Sequence, residues 1–253
     1  MNWLTRPCTR QARDGSVNLQ KKMNIASHQI EVWKNCLVKK VEAGGLYSRN
    51  PVTHKWKCTY RSWVLHELVY WRLTDLLDQV ILLTNSKHIL GARILLRSSF
   101  ETVGILIYLN QKTEALLEEK IDFWEFNKIT AQLMLGSKNK TTKHSAINIV
   151  TVLSKWCERK YPGVFNIYSD LCESAHPNYE GVCWGYSYIN EKELETHFEN
   201  RWAELYEDKI EKSIIAIMQI FEHEYNEVFP EKFRLLEKWI EANDEKLENE
   251  KSG

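Results

Sequence analysis

The stretch "ILGARILLRSSFETVGILIYL", residues 89 to 109, constrains the fold of this chain more than any other. It is apolar along most of its length, yet Arg93, Arg97 and Glu101 recur at intervals of four. Such spacing marks one edge of an α-helix, where positions i and i+4 stack over one another. Three charges in twenty residues exclude a membrane span. A helix this apolar must still bury most of its circumference, and an unpaired guanidinium inside a protein is costly. The chain therefore needs packed neighbours around this helix, and either partners for its charged edge or a polar cleft beside it.

The remaining segments supply such neighbours. Ile30, Trp33, Leu37, Val38 and Val41 predict a helix over 24–43, and the Gly44, Gly45 and Pro51 stretch that follows reads as a long loop. Leu65, Val69, Leu73, Leu76, Leu77 and Ile81 predict a helix over 63–84, with Ser86 as N-cap of the next one, 87–110. Thr113 and an acidic first turn open a fourth helix that ends before Gly136. Shorter helices over 145–160 and 163–175 flank "YPG". Leu194, Phe198, Trp202, Leu205, Ile210, Ile214, Ile217 and Phe221 predict one long helix over 191–228, and a last helix covers 231–248. No segment shows strand alternation. The expectation is an all-α bundle of about seven or eight helices, a single domain over 23–253 with its core at about 60–225, behind an irregular leader at 1–22.

Lys+Arg and Asp+Glu both number 34, so no global field draws the chain to nucleic acid or anionic lipid, and any such binding needs a local patch. Six scattered cysteines without a Cys-x-x-Cys pair read as reduced thiols of a cytoplasmic protein. The start lacks the apolar core of a secretion signal. Cys172, His176 and Cys183 fit no common zinc spacing, so neither a metal nor another cofactor is expected.

Among residues that could carry chemistry, His176 stands out because Pro177 disfavours α conformation before it, which places the imidazole at a helix carboxyl end. That position suits an acid-base group and equally suits a simple cap. Arg97 is the plausible phosphate anchor, with Glu101 to orient it; the plainer reading is a structural Arg97–Glu101 pair. Arg93, Tyr179 and Trp184 are candidate substrate contacts, the aromatics as stacking surfaces. Lys138, Lys140 and Lys143 lie in a basic loop that either grips a phosphate backbone or is simply solvated. Arg61 and His66, in "RSWVLH", form a weaker pair, because residues five apart on a helix diverge.

The helix containing "ARILLRSSFETVGILIYL", followed by one ending "YSDLCESAHP", resembles uncharacterised bacterial helical proteins of the HEPN-like superfamily, over roughly residues 60–225. Ribonucleases of that superfamily carry an Arg, four to six residues and a His, and juxtapose two sites in a dimer to cut RNA without metal. Others have lost the activity and serve as binding partners. The resemblance implies a homodimer in a bacterial defence or toxin-type system, with RNA or a protein such as an antitoxin as partner. It also implies His176 as acid-base residue, although no arginine lies within seven residues before it. The alternative is a non-catalytic helical module that dimerises and engages a protein or small ligand through the aromatic region around Trp184.

Overall fold

The computed structural model describes residues 19–252, and the expected leader falls outside them except for its last four residues. Helix accounts for 78% of the described residues, so the expected all-α bundle is what forms. Helix α1 spans Leu19–Cys36, beginning before Met23. Two short helices follow, α2 (Ala43–Arg49) and α3 (Pro51–His54), where the glycines and proline predicted a loop. The proline starts α3 instead, at a first-turn position where its missing N–H costs nothing, and the Asn50 side chain caps Thr53 N at 3.1 Å. Ion pairs of Arg49 with Glu237 and hydrogen bonding of Asn50 to Glu241 hold this exposed corner, so it needs no apolar anchor.

Two 29-residue helices, α4 (Lys57–Asn85) and α5 (Ile89–Leu117), form the centre. Ser86 closes α4, its N–H meeting Leu82 O, and His88 occupies the N-cap of α5. Thr113 does not open a helix: the apolar stripe runs on to Leu116, so α5 continues, and Thr113 sits buried with its hydroxyl on Leu109 O. The break falls at residues 118–122, after which Asp122 caps α6 (Phe123–Leu135) through Glu125 N at 2.7 Å. A mixed segment follows, α7 (Ile149–Thr151), the π turn Val152–Cys157 and α8 (Glu158–Lys160), then α9 (Val164–Ala175).

The predicted 191–228 helix is the main departure. Its first part is instead the turn and second strand of an antiparallel hairpin, β1 (Ser187–Asn190) with β2 (Glu195–Phe198), in the register Ser187 to Phe198, which follows a π turn, Tyr179–Trp184. Asn190 turns the chain by accepting from Lys192 N, and Leu194 takes a left-handed backbone at φ 57. From Trp202 the backbone is helical without interruption to Ser252, as α10 (Trp202–His223), a π turn (Glu224–Val228) and α11 (Phe229–Ser252).

Helix α5 packs against α4, α6, α9, α10 and α11, the enclosure that its apolar sequence demanded. Trp33, Tyr70 and Phe221 interlock α1, α4 and α10 with ring centroids 5.0–5.9 Å apart. Leu65, Val69, Leu73, Leu77 and Ile81 all reach this core, each worth roughly 1.5–3 kcal/mol on full burial. No helix among the described residues is long and apolar enough to cross a membrane.

Candidate functional site

The charged edge of α5 meets α9 as a polar seam. Arg93 is 1% exposed, and its demands are met by α9: Nε donates to Ser174 Oγ at 2.7 Å, and Nη2 to Asp170 O and Oδ2 at 2.8 and 3.0 Å. The Tyr206 ring lies 4.1 Å from the guanidinium carbon. Burial and a hydrogen bond to Glu180 hold the Tyr206 phenol above its ordinary range, with Arg93 acting against them. Arg93 is thus an internal clamp joining α5, α9 and α10.

One turn on, Arg97 is about a quarter exposed. Nε donates to Cys172 Sγ at 3.1 Å and Nη2 to Tyr168 OH at 3.0 Å, while Glu101 Oε1 lies 2.9 Å from Nη2 and accepts from Tyr168 OH at 2.9 Å. Burial opposes the Arg97 charge, but Cys172 and Glu101 outweigh it and keep the guanidinium protonated more firmly than usual. Burial, then the bond to Glu101, pushes the Tyr168 phenol up. The expected Arg97–Glu101 pairing is therefore present, and Tyr168 and Cys172 complete it. Neither was singled out as a partner from sequence, although their spacing of four on the next helix was a readable signal.

His176 caps α9 in extended conformation, φ −98 and ψ 145, as Pro177 requires. Its ring is exposed and makes no hydrogen bond with Arg97 or Glu101. It continues the Tyr168, Cys172 row one turn further, so it shares the flank of α9 that Arg97 reaches. The chain then folds back so tightly that a Cβ at Gly181 would lie 2.0 Å from the His176 carbonyl oxygen.

The aromatic residues near His176 in sequence do not form one wall. Tyr161 turns inward to Glu224, Trp156 packs on Tyr108 and Tyr186 on Trp202. Tyr179 and Trp184 stack at 6.4 Å and remain exposed, with Arg201 over Trp184 at 4.8 Å. Lys138, Lys140 and Lys143 project into solvent from a loop braced by Ser137, Asn139 and Thr141, and none forms an ion pair among the described residues. Among those residues, the group close enough to hold an ion is the exposed Glu193, Glu195 and His197 on the hairpin, not Cys172, His176 and Cys183.

Arg61 and His66 diverge, as helix geometry requires. Arg61 donates to Asn127 on α6, whereas His66 is sandwiched between Tyr225 and Phe229, ring centroids 3.7 and 3.9 Å away. His66 belongs to a separate feature, a cleft of about 870 Å³ lined by Leu46 of α2, Trp63, His66 and Glu67 of α4, and Tyr225 and Phe229 of the α10–α11 junction. Its members come from distant parts of the chain, and no sequence pattern joins them.

No protein-family model, curated protein or solved structure matches the chain.

Proposed function

We propose that the chain is a helical binding module that works as a homodimer, paired through the hairpin and the π turn before it. The observation that carries this is the exposure of large apolar side chains there: Ile189 is 70% exposed, Phe198 83% and Leu194 89%. In the β1–β2 register Ile189 and Phe198 fall on the same face, since the positions opposite them are Thr196 and Ser187. Two exposed apolar side chains on one face of an isolated two-stranded hairpin, itself marginal in water, with Leu194 exposed in its turn, fit a partner-covered surface. Covering these three side chains on both copies is worth roughly 9–18 kcal/mol gross, of which roughly 5–6 kcal/mol must remain after the association cost of about 4–15 kcal/mol for a dimer to be populated at about 100 μM. Light scattering coupled to size exclusion at about 100 μM tests the reading. The wild-type protein is expected at twice the monomer mass, and the Ile189→Asp, Phe198→Asp double variant as a monomer with unchanged helicity. A wild-type monomer at that concentration refutes the pairing.

A second reading, a metal-independent ribonuclease of the HEPN-like kind acting in the bacterial cytoplasm, is favoured by the exposed His176 on the flank that Arg97 reaches. Arginine would hold the phosphate and histidine would move the proton of the 2′-hydroxyl. Cleavage of labelled RNA in EDTA, lost in both Arg97→Ala and His176→Ala, supports it. Cleavage indifferent to both substitutions, or none at all, leaves the module reading in place.

A further inference from the structure

The cleft between α2, α4 and the α10–α11 junction contains a buried carboxylate that pairs with no lysine or arginine among the described residues. Glu67 is 8% exposed and lines the cleft. Its Oε2 accepts from Tyr225 OH at 3.1 Å. Its Oε1 faces His66 Nδ1 at 3.4 Å, beyond ordinary N–H···O length, and that nitrogen is buried without a hydrogen-bond partner. The other ring nitrogen, Nε2, is 3.2 Å from the Tyr225 carbonyl, which identifies it as the protonated one.

The cleft does contain cations, but each is occupied elsewhere. Lys40 pairs with Glu42 at 2.5 Å, Arg49 pairs with Glu237, and Lys39 lies 4.6 Å over the Trp71 ring. No lysine or arginine pairs with Glu67 among the described residues. A carboxylate withdrawn from water without a counter-charge is unfavourable unless something supplies one. Trp63, His66, Tyr225 and Phe229 line the wall; His66 stacks between Tyr225 and Phe229, Trp63 is half-buried, and aromatic faces attract cations once water is excluded. The volume, about 870 Å³, suits a small organic molecule.

We infer that this cleft binds a small organic cation, an aromatic or alkyl amine, whose ammonium group pairs with Glu67 while its body lies against Trp63 and Phe229. The site is independent of the hairpin pairing proposed above, and it uses neither Arg97 nor His176.

Calorimetric titration of the full chain with three probes of one shape provides the test: tryptamine as cation, tryptophol as neutral analogue and indole-3-acetate as anion. Tryptamine is expected to bind at least tenfold more tightly than the other two. Glu67→Gln should bring the three within about twofold of one another, and without ligand it should melt at or above the wild-type temperature, because it removes an uncompensated charge. Should Glu67→Gln fail to fold by circular dichroism, Glu67→Asp provides the same comparison, with tryptamine weakened and tryptophol unchanged. No binding by the wild type at millimolar tryptamine, equal affinity for all three probes, or a cation preference that survives both substitutions overturns the inference.

Discussion

Replacing Arg93 by methionine, which keeps most of the side-chain volume and removes the charge, tests whether the α5 edge is a structural clamp. The guanidinium is 1% exposed and donates three hydrogen bonds of 2.7–3.0 Å to α9. Breaking a buried pair costs about 3–5 kcal/mol when the orphaned partner stays buried. Asp170 is 37% exposed and can regain water, so the lower end applies, about 3 kcal/mol. The same change at Arg97 removes a pair whose members are 29% and 23% exposed, worth about 1 kcal/mol at most. For a chain of this length each kcal/mol moves the melting point by roughly 2–4 °C, giving roughly 6–12 °C for Arg93→Met against about 2–4 °C for Arg97→Met. Thermal melts followed by circular dichroism at 222 nm measure both. Equal losses, or a larger loss at Arg97, would refute the assignment of Arg93 as clamp and Arg97 as the more adaptable residue.

Other expectations follow from single sites. At Gly185 an added Cβ would lie 2.4 Å from the Trp202 ring, so Gly185→Ala should cost about 1–3 kcal/mol and loosen the hairpin, seen as faster trypsin cleavage there. The Glu158 carboxyl accepts from Gly163 N and Phe165 N, which holds it below its ordinary value of 4.5. This cap therefore adds stability above about pH 4.5 and loses it as pH falls through the lower folded value, so Glu158→Gln should flatten the acid limb of a stability-versus-pH curve. Burial pushes the Cys58 and Cys157 thiols up to about 12, whereas Cys183 is exposed. A thiol reagent at pH 8 should modify Cys183 and spare the other two until the protein is unfolded.

The helices that bury a continuous stripe were legible from the sequence. Leu65, Val69, Leu73, Leu77 and Ile81 lie where their spacing predicted, because a 29-residue helix offers enough turns for the period to be unambiguous. The same reasoning failed at Leu194 and Phe198, which matched a helical period by chance, with only four residues in each strand to signal otherwise. Asn190 carried the turn signal that the period obscured. At the seam, the sequence identified Arg93, Arg97 and Glu101 as needing partners, but the identity of Asp170, Ser174, Tyr168 and Cys172 depended on how α9 crosses α5. The cleft was illegible altogether, since Glu67 and Tyr225 meet only after 158 residues of chain have folded.

The π turn at Glu224–Val228 sets the rotational phase of the last helix. Glu224 faces into the bundle, where Tyr161 OH, Lys160 Nζ and Asn110 Nδ2 contact its carboxylate at 2.6–2.7 Å, while its neighbour Tyr225 faces Glu67. The wider turn gives the chain room to satisfy both neighbours at once before α11 begins. Closing it to plain α geometry with all five residues retained would rotate everything beyond by about 100°. Phe233, Leu236 and Ile240, all buried now, would swing away from the core together, so the extra residue stored in this wider turn is what keeps the apolar stripe of α11 in phase with the bundle.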